Sequence, residues 1–148
     1  HGGSIRVYIT KDKVKKATKR FFVTEKKEKK LEVDKKKFYL RFNELIENKK
    51  KKEINFFSKL KNQKVVGFGA PAKATVTLNY YNISKNFLYI IDDNELKKNK
   101  FIPGTKLKII DKFLKKENIT IVMAWNYFDK IKKKIKTNTK QVFNIRNL

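Results

Sequence analysis

The sequence predicts an α/β domain, a Rossmann-like and mostly parallel sheet flanked by helices in a three-layer α/β/α arrangement. Short apolar, β-branched runs recur at residues 64–68, 87–91 and 119–124, as strands buried on both faces do. Helix-patterned stretches separate these runs, so the order is β-α-β and not a series of hairpins. A Gly-x-Gly-x-x-Ala turn joins the first run to the helix after it, the context in which that motif carries weight.

Each element has its own reason. Residues 4–10 alternate Ile5, Val7 and Ile9 with Arg6 and Tyr8, the pattern of a half-buried strand. The basic stretch at 11–33 is weakly patterned, with a short helix expected around 17–28. Asp34 is placed to cap a long helix through Phe38, Leu45, Ile46, Phe56, Phe57 and Leu60, with the lysines at 49–52 on a solvated stretch. From residue 63 onward the expected order is strand 64–68, helix 70–81, strand 87–91, turn 101–105 and strand 106–110. A brief helix capped by Asp111 and running to 116, strand 119–124, helix 126–136 and strand 141–145 complete it. With no internal repeat and no Pro/Gly/Ser linker, the expectation is a single domain over 1–148: a strand and helical lead-in over 1–62, then the β-α-β core over 63–148.

Composition narrows the function. The 148 residues are 40% hydrophobic and 13% aromatic, enough for one real core. No apolar run reaches the roughly 18 residues that span a bilayer, and no basic-then-apolar signal-peptide pattern is present. The absence of cysteine excludes disulfides and thiolate metal sites and suits a cytoplasmic setting. The net charge of +25 raises a nucleic-acid reading. Against it, the basic residues are almost all lysine, with arginine only at Arg6, Arg20, Arg41 and Arg146, whereas base and phosphate readers favour the bidentate arginine fork. Lysine, asparagine, isoleucine and phenylalanine rise together, as an AT-rich coding sequence produces, and the lysines are spread along the chain. A solvated lysine surface is the reading adopted; a lysine-rich nucleic-acid-binding module is its rival.

Chemistry concentrates at Val65-Val66-Gly67-Phe68-Gly69-Ala70-Pro71-Ala72-Lys73. Gly67 and Gly69 allow a tight turn and close approach of a ligand. Pro71 suits the first helical turn, and the helix N-terminus with Lys73 beside it favours phosphate. The same turn also serves simply to close a strand on a helix. Asp92 and Asp93 end the next strand, where dinucleotide enzymes hold ribose hydroxyls; Asp92-Asp93-Asn94 is equally a turn that caps the next segment. Trp125 and Asn126 follow the third strand at the carboxyl edge of the sheet, where Trp125 either stacks on a ligand or packs in the core. His1 is the only imidazole, so no metal site, no Ser/His/Asp or Cys/His arrangement and no paired acid/base signature can be assembled. His1-Gly2-Gly3-Ser4 is either an expression remnant or the start of the first strand.

Several of these words recur in order: His1-Gly2-Gly3-Ser4-Ile5-Arg6-Val7-Tyr8, Gly67 to Ala74, Thr77-Leu78-Asn79-Tyr80-Tyr81, Asp92-Asp93-Asn94, Lys100-Phe101-Ile102-Pro103-Gly104-Thr105 and Ala124-Trp125-Asn126. The series resembles the C-terminal domain of S-adenosylmethionine-dependent C-methyltransferases that act on nucleotide-linked deoxysugars. The resemblance covers nearly the whole chain, with 11–61 matching only as generic helix. It favours a native origin for the first four residues, and implies that a small zinc-binding domain and a central methyltransferase domain precede this one in the full-length enzyme.

On that resemblance the full-length protein is a cytoplasmic methyltransferase, and this domain carries no catalytic residue. S-adenosylmethionine binds the central domain and zinc the N-terminal one, neither binding here. This domain helps hold the nucleotide-sugar against the upstream domain, which is its partner, with no specific nucleic acid and no membrane. The expected substrate-binding residues are Gly67, Gly69, Ala70, Ala72, Lys73, Asp92, Asn94, Trp125 and Asn126, with the first five at the diphosphate. An NAD-binding domain is a further alternative, allowed by Gly-x-Gly-x-x-Ala and Asp92 but given no catalytic partner by the sequence.

Overall fold

The computed structural model describes residues 4–12, 16–60 and 63–148, and the chain falls into two compact units, His1–Lys49 and Lys50–Leu148. His1, Gly2 and Gly3, read from sequence as the opening of a strand, lie outside the described residues.

In the first unit, residues 4–10 form no strand. Ile5, Val7 and Ile9 are 74%, 66% and 93% exposed. Alternation makes a strand only where a neighbour supplies the ladder and a face to bury against, and none of the described strands pairs with this segment. The weakly patterned stretch does form a helix, α1 (Lys19–Leu31). The hydroxyl of Thr18 accepts the Phe21 N–H at 3.3 Å to start it. Glu32, at φ +53°, ends it in the left-handed conformation, with Lys29 and Lys30 in the last turn where cations suit the dipole. The next helix, α2 (Lys36–Lys59), starts beyond the expected cap. The Asp34 carboxylate pairs instead with Lys35 at 3.3 Å.

The second unit is built on five parallel strands in the order β3-β2-β1-β4-β5, with β1 Val65–Phe68, β2 Phe87–Ile91, β3 Ile109–Ile110, β4 Glu117–Val122 and β5 Thr139–Asn144. Helices α3 (Ala72–Tyr80) and α4 (Phe128–Ile135) follow β1 and β4. This is the predicted Rossmann-like α/β arrangement. One face of the sheet packs Val65, Phe87, Ile90 and Ile121 under Ala74 and Leu78 of α3 and Phe57 at the end of α2. The other packs Val66, Phe68, Tyr89 and Val122 under Ile135, with Phe128 and Ile131 beside it. The spacing of those three α4 residues, 128, 131 and 135, makes one apolar stripe and leaves Lys130, Lys132, Lys133 and Lys134 outside.

Two expectations near β3 are corrected. The strand expected over 106–110 is parallel-paired only at Ile109 and Ile110, because Lys108 turns to an antiparallel bridge with Phe101. The helix expected from Asp111 to 116 is absent; these residues form an irregular connection. The Asp111 carboxylate accepts from Lys98 and so does not cap, while Phe113 stacks on Phe68 at 6.3 Å. The turn at 101–105 is pinned to α3: Asn79 Nδ2 donates to the Pro103 carbonyl at 3.0 Å, and Gly104, at φ +74°, leaves room for the Asn79 side chain. No helix of the described residues is long and apolar enough to cross a membrane.

Candidate functional site

The strand order reverses between β1 and β4: β2 and β3 lie on one side of β1, β4 and β5 on the other. Helix α3 covers one face of the sheet and α4 the other, so the two connections diverge and a crevice opens beyond the carboxyl ends of β1 and β4. It has a volume of about 370 Å³, within the size range of small-molecule sites. Phe68, Gly69 and Ala124 form its base, and Ile131 its apolar wall on α4. Tyr127, Lys130 and Lys134 stand on the α4 rim, opposite Asp92 and Asp93 at the end of β2. Asp93 and Lys134 pair across the crevice at 2.7 Å, with both side chains 58% exposed, a solvated pair worth at most about 1 kcal/mol. Tyr127 is 60% exposed.

The glycines of the turn have separate jobs. A Cβ on Gly67 would run into the Ile90 side chain, so this glycine serves the packing of β1 on β2. Gly69 sits at φ +93°, and a Cβ there would lie 2.8 Å from Ala124 Cβ. It is needed both for the turn and for the closeness of β1 and β4 at the crevice. Its N–H donates to the Ile91 carbonyl at 2.6 Å. The next N–H, of buried Ala70, donates to Asp92 Oδ2 at 2.6 Å. Lys97 Nζ bridges the Ala70 carbonyl at 3.0 Å and Asp92 Oδ2 at 3.2 Å. Pro71 stands at the N-cap of α3, one position before the helix.

Of the residues singled out from sequence as candidates for the site, Gly69, Asp92 and Asp93 line the crevice. Lys73 lies on the ring of Trp125, its ammonium 3.7 Å from the ring centroid, and burial pushes its pKa below the ordinary lysine value. Trp125 opens a short 3-10 helix, Trp125–Tyr127, and packs against the core on the α3 face. Asn94 caps another, its Oδ1 accepting the Leu96 N–H at 3.0 Å. Ala72 begins α3, and Asn126 is exposed within the 3-10 helix. Sequence reasoning passed over Tyr127, Lys130, Ile131 and Lys134. Lys130, Ile131 and Lys134 fall at helical spacing on α4, with Tyr127 at its N-cap, and that periodicity was the available signal. Among the described residues no group of His, Cys, Asp or Glu is arranged to hold a metal ion.

Comparison with curated proteins returned no match to this chain. The family described as the C-methyltransferase C-terminal domain matches residues 1–144, and so includes both the glycine turn and the crevice beside it. The chain therefore belongs to the C-methyltransferase C-terminal domain family.

Proposed function

We propose that this domain helps hold a nucleotide-linked deoxysugar while an upstream domain of the same enzyme transfers a methyl group to one of its carbons. The observation that carries this reading is the combination found in the switch-point crevice: an apolar base and wall at Phe68 and Ile131, an exposed ring at Tyr127, and two ammonium groups at Lys130 and Lys134. A deoxysugar has fewer hydroxyls than a common sugar and tolerates such a surface. Tyr127 offers a stacking face for sugar or base, and the lysines suit a diphosphate as point charges. Asp93 is placed to accept from hydroxyls. Gly69 brings the backbone close to the ligand, while Ala72 and Lys73 open α3 beside the turn, Lys73 held on the Trp125 ring. Gly67 and Ala70 keep their packing roles in this reading, while Asn94, Trp125 and Asn126 shape the flanking loops.

S-adenosylmethionine supplies the methyl group and belongs to the upstream domain; zinc belongs to a further domain upstream of that. The residues of this chain bind and orient the acceptor and move no proton. Such an enzyme works in the cytoplasm, beside the pools of nucleotide-sugar and methyl donor.

The test is a titration of the isotope-labelled chain followed by amide chemical shifts. A nucleoside-diphosphate deoxysugar should move the signals of Tyr127, Lys130 and Ile131 saturably, and S-adenosylmethionine should move none. Saturable donor binding by this chain, or deoxysugar shifts confined to residues outside the crevice, would overturn the reading.

A further inference from the structure

The expected ligand groups of the glycine turn are bonded to each other. In a dinucleotide-binding turn the backbone N–H groups after the strand face a pyrophosphate, and the acid ending the second strand holds ribose hydroxyls. Here the Gly69 N–H is taken by the Ile91 carbonyl and the Ala70 N–H by the Asp92 carboxylate, each at 2.6 Å. The Asp92 side chain is only 12% exposed, and a carboxylate so withdrawn from water needs fixed partners. It has three: Oδ2 accepts from Ala70 N–H and Lys97 Nζ, and Oδ1 accepts the Asn94 N–H at 3.0 Å. Lys97 also holds the Ala70 carbonyl at 3.0 Å. The clamp is prearranged by its own loop, since Asn94 caps the 3-10 helix Glu95–Lys97 that carries the lysine.

We propose that Asp92, seated by Lys97, fills the anion position of the β1–α3 turn and so makes this domain reject dinucleotides and pyrophosphate at a turn whose sequence otherwise invites them. Asp92 is then a specificity-determining residue. An incoming phosphate would have to displace a carboxylate that already has its hydrogen bonds and its counter-charge, and would meet that carboxylate's repulsion while doing so. The phosphates of any nucleotide bound by this domain are left to the lysines of the α4 rim, on the far side of Gly69.

The probe is inorganic pyrophosphate, titrated into the isotope-labelled chain at moderate salt, with the Gly69 and Ala70 amide signals as readout. These report the turn itself and are separate from non-specific binding to surface lysines. In the wild-type chain both signals should stay in place at millimolar pyrophosphate. In Asp92→Ala they should move saturably, with an apparent affinity at least tenfold above any seen at the turn in the wild type. Asp92→Asn keeps the side-chain shape and the bond to Asn94, guards against loss of fold, and should shift the signals in the same direction by less. NAD in place of pyrophosphate should give the same order. Saturable movement of the Ala70 signal in the wild-type chain would overturn the proposal, as would folded Asp92→Ala and Asp92→Asn chains whose turn stays unresponsive. Neither result bears on the deoxysugar reading, which is scored at Tyr127 and Lys130.

Discussion

The Lys73 ammonium lies 3.7 Å from the centre of the Trp125 ring, joining the first turn of α3 to the loop after β4. A partly exposed cation on an indole face contributes about 0.5–1 kcal/mol. Lys73→Ala should lower stability by that amount, and Lys73→Arg should preserve most of it. Because Trp125 is the sole tryptophan, its emission reports the contact directly. A red shift and a lower melting temperature in Lys73→Ala are expected; unchanged emission and melting would show that the contact is not populated.

Gly69 combines a positive φ with a close neighbour across the crevice. Gly69→Ala forces a side chain onto a backbone at φ +93° and brings its Cβ to 2.8 Å from that of Ala124. The strained conformation alone costs about 1–3 kcal/mol, and overlap with Ala124 adds to it. Urea denaturation should register a loss of at least that size, whereas a stability within about 0.5 kcal/mol of wild type would contradict the geometry.

The buried Tyr89 hydroxyl donates to Glu117 Oε1 at 2.6 Å. Burial, and then the bond to Glu117, push the Tyr89 pKa from 10.0 up to about 12. The folded state therefore holds the tyrosine proton more tightly than the unfolded chain does. This stabilisation is complete below pH 10 and is lost as pH rises through about 12. Tyr89→Phe should cost about 1–3 kcal/mol at neutral pH, because the Glu117 carboxylate loses a buried donor. It should also flatten the decline of stability between pH 10 and 12 relative to wild type. Parallel alkaline profiles for the two chains would refute the assignment.

Strands buried on both faces were legible in the sequence because their apolar runs leave no other fate. Residues 87–91 form the strand expected, and the glycine turn falls between β1 and α3 as its spacing requires. What failed were features that depend on a distant partner. Ile5, Val7 and Ile9 alternate correctly but find no strand to pair with among those described, and Asp111 is drawn to Lys98 instead of capping a helix. At the site, Gly69 and Asp92 were legible because glycine and a strand-ending acid stand out. Lys130 and Lys134 were not, because in a chain with 39 basic residues a lysine beside the crevice looks like every other one. The bond from Ala70 to Asp92 spans 22 positions and is a property of the fold alone.

The charge of +25 should give DNA affinity that is sequence-independent and falls steeply with salt, because lysine contacts to phosphate release counterions without reading bases. Filter binding across random and defined duplexes should show no preferred sequence and little binding at about 200 mM salt. One preferred sequence persisting there would contradict the view of these lysines as a solvated surface.

The most direct test of the central claim is steady-state kinetics of Tyr127→Ala in the full-length methyltransferase. Loss of one stacking surface of about 1–3 kcal/mol should weaken use of the nucleotide-deoxysugar by roughly five- to 150-fold in kcat/KM. The melting temperature should hold, since Tyr127 is 60% exposed, and on the proposed reading the KM for S-adenosylmethionine should hold as well. An unchanged kcat/KM for the nucleotide-sugar would contradict the account and leave the switch-point crevice without a ligand.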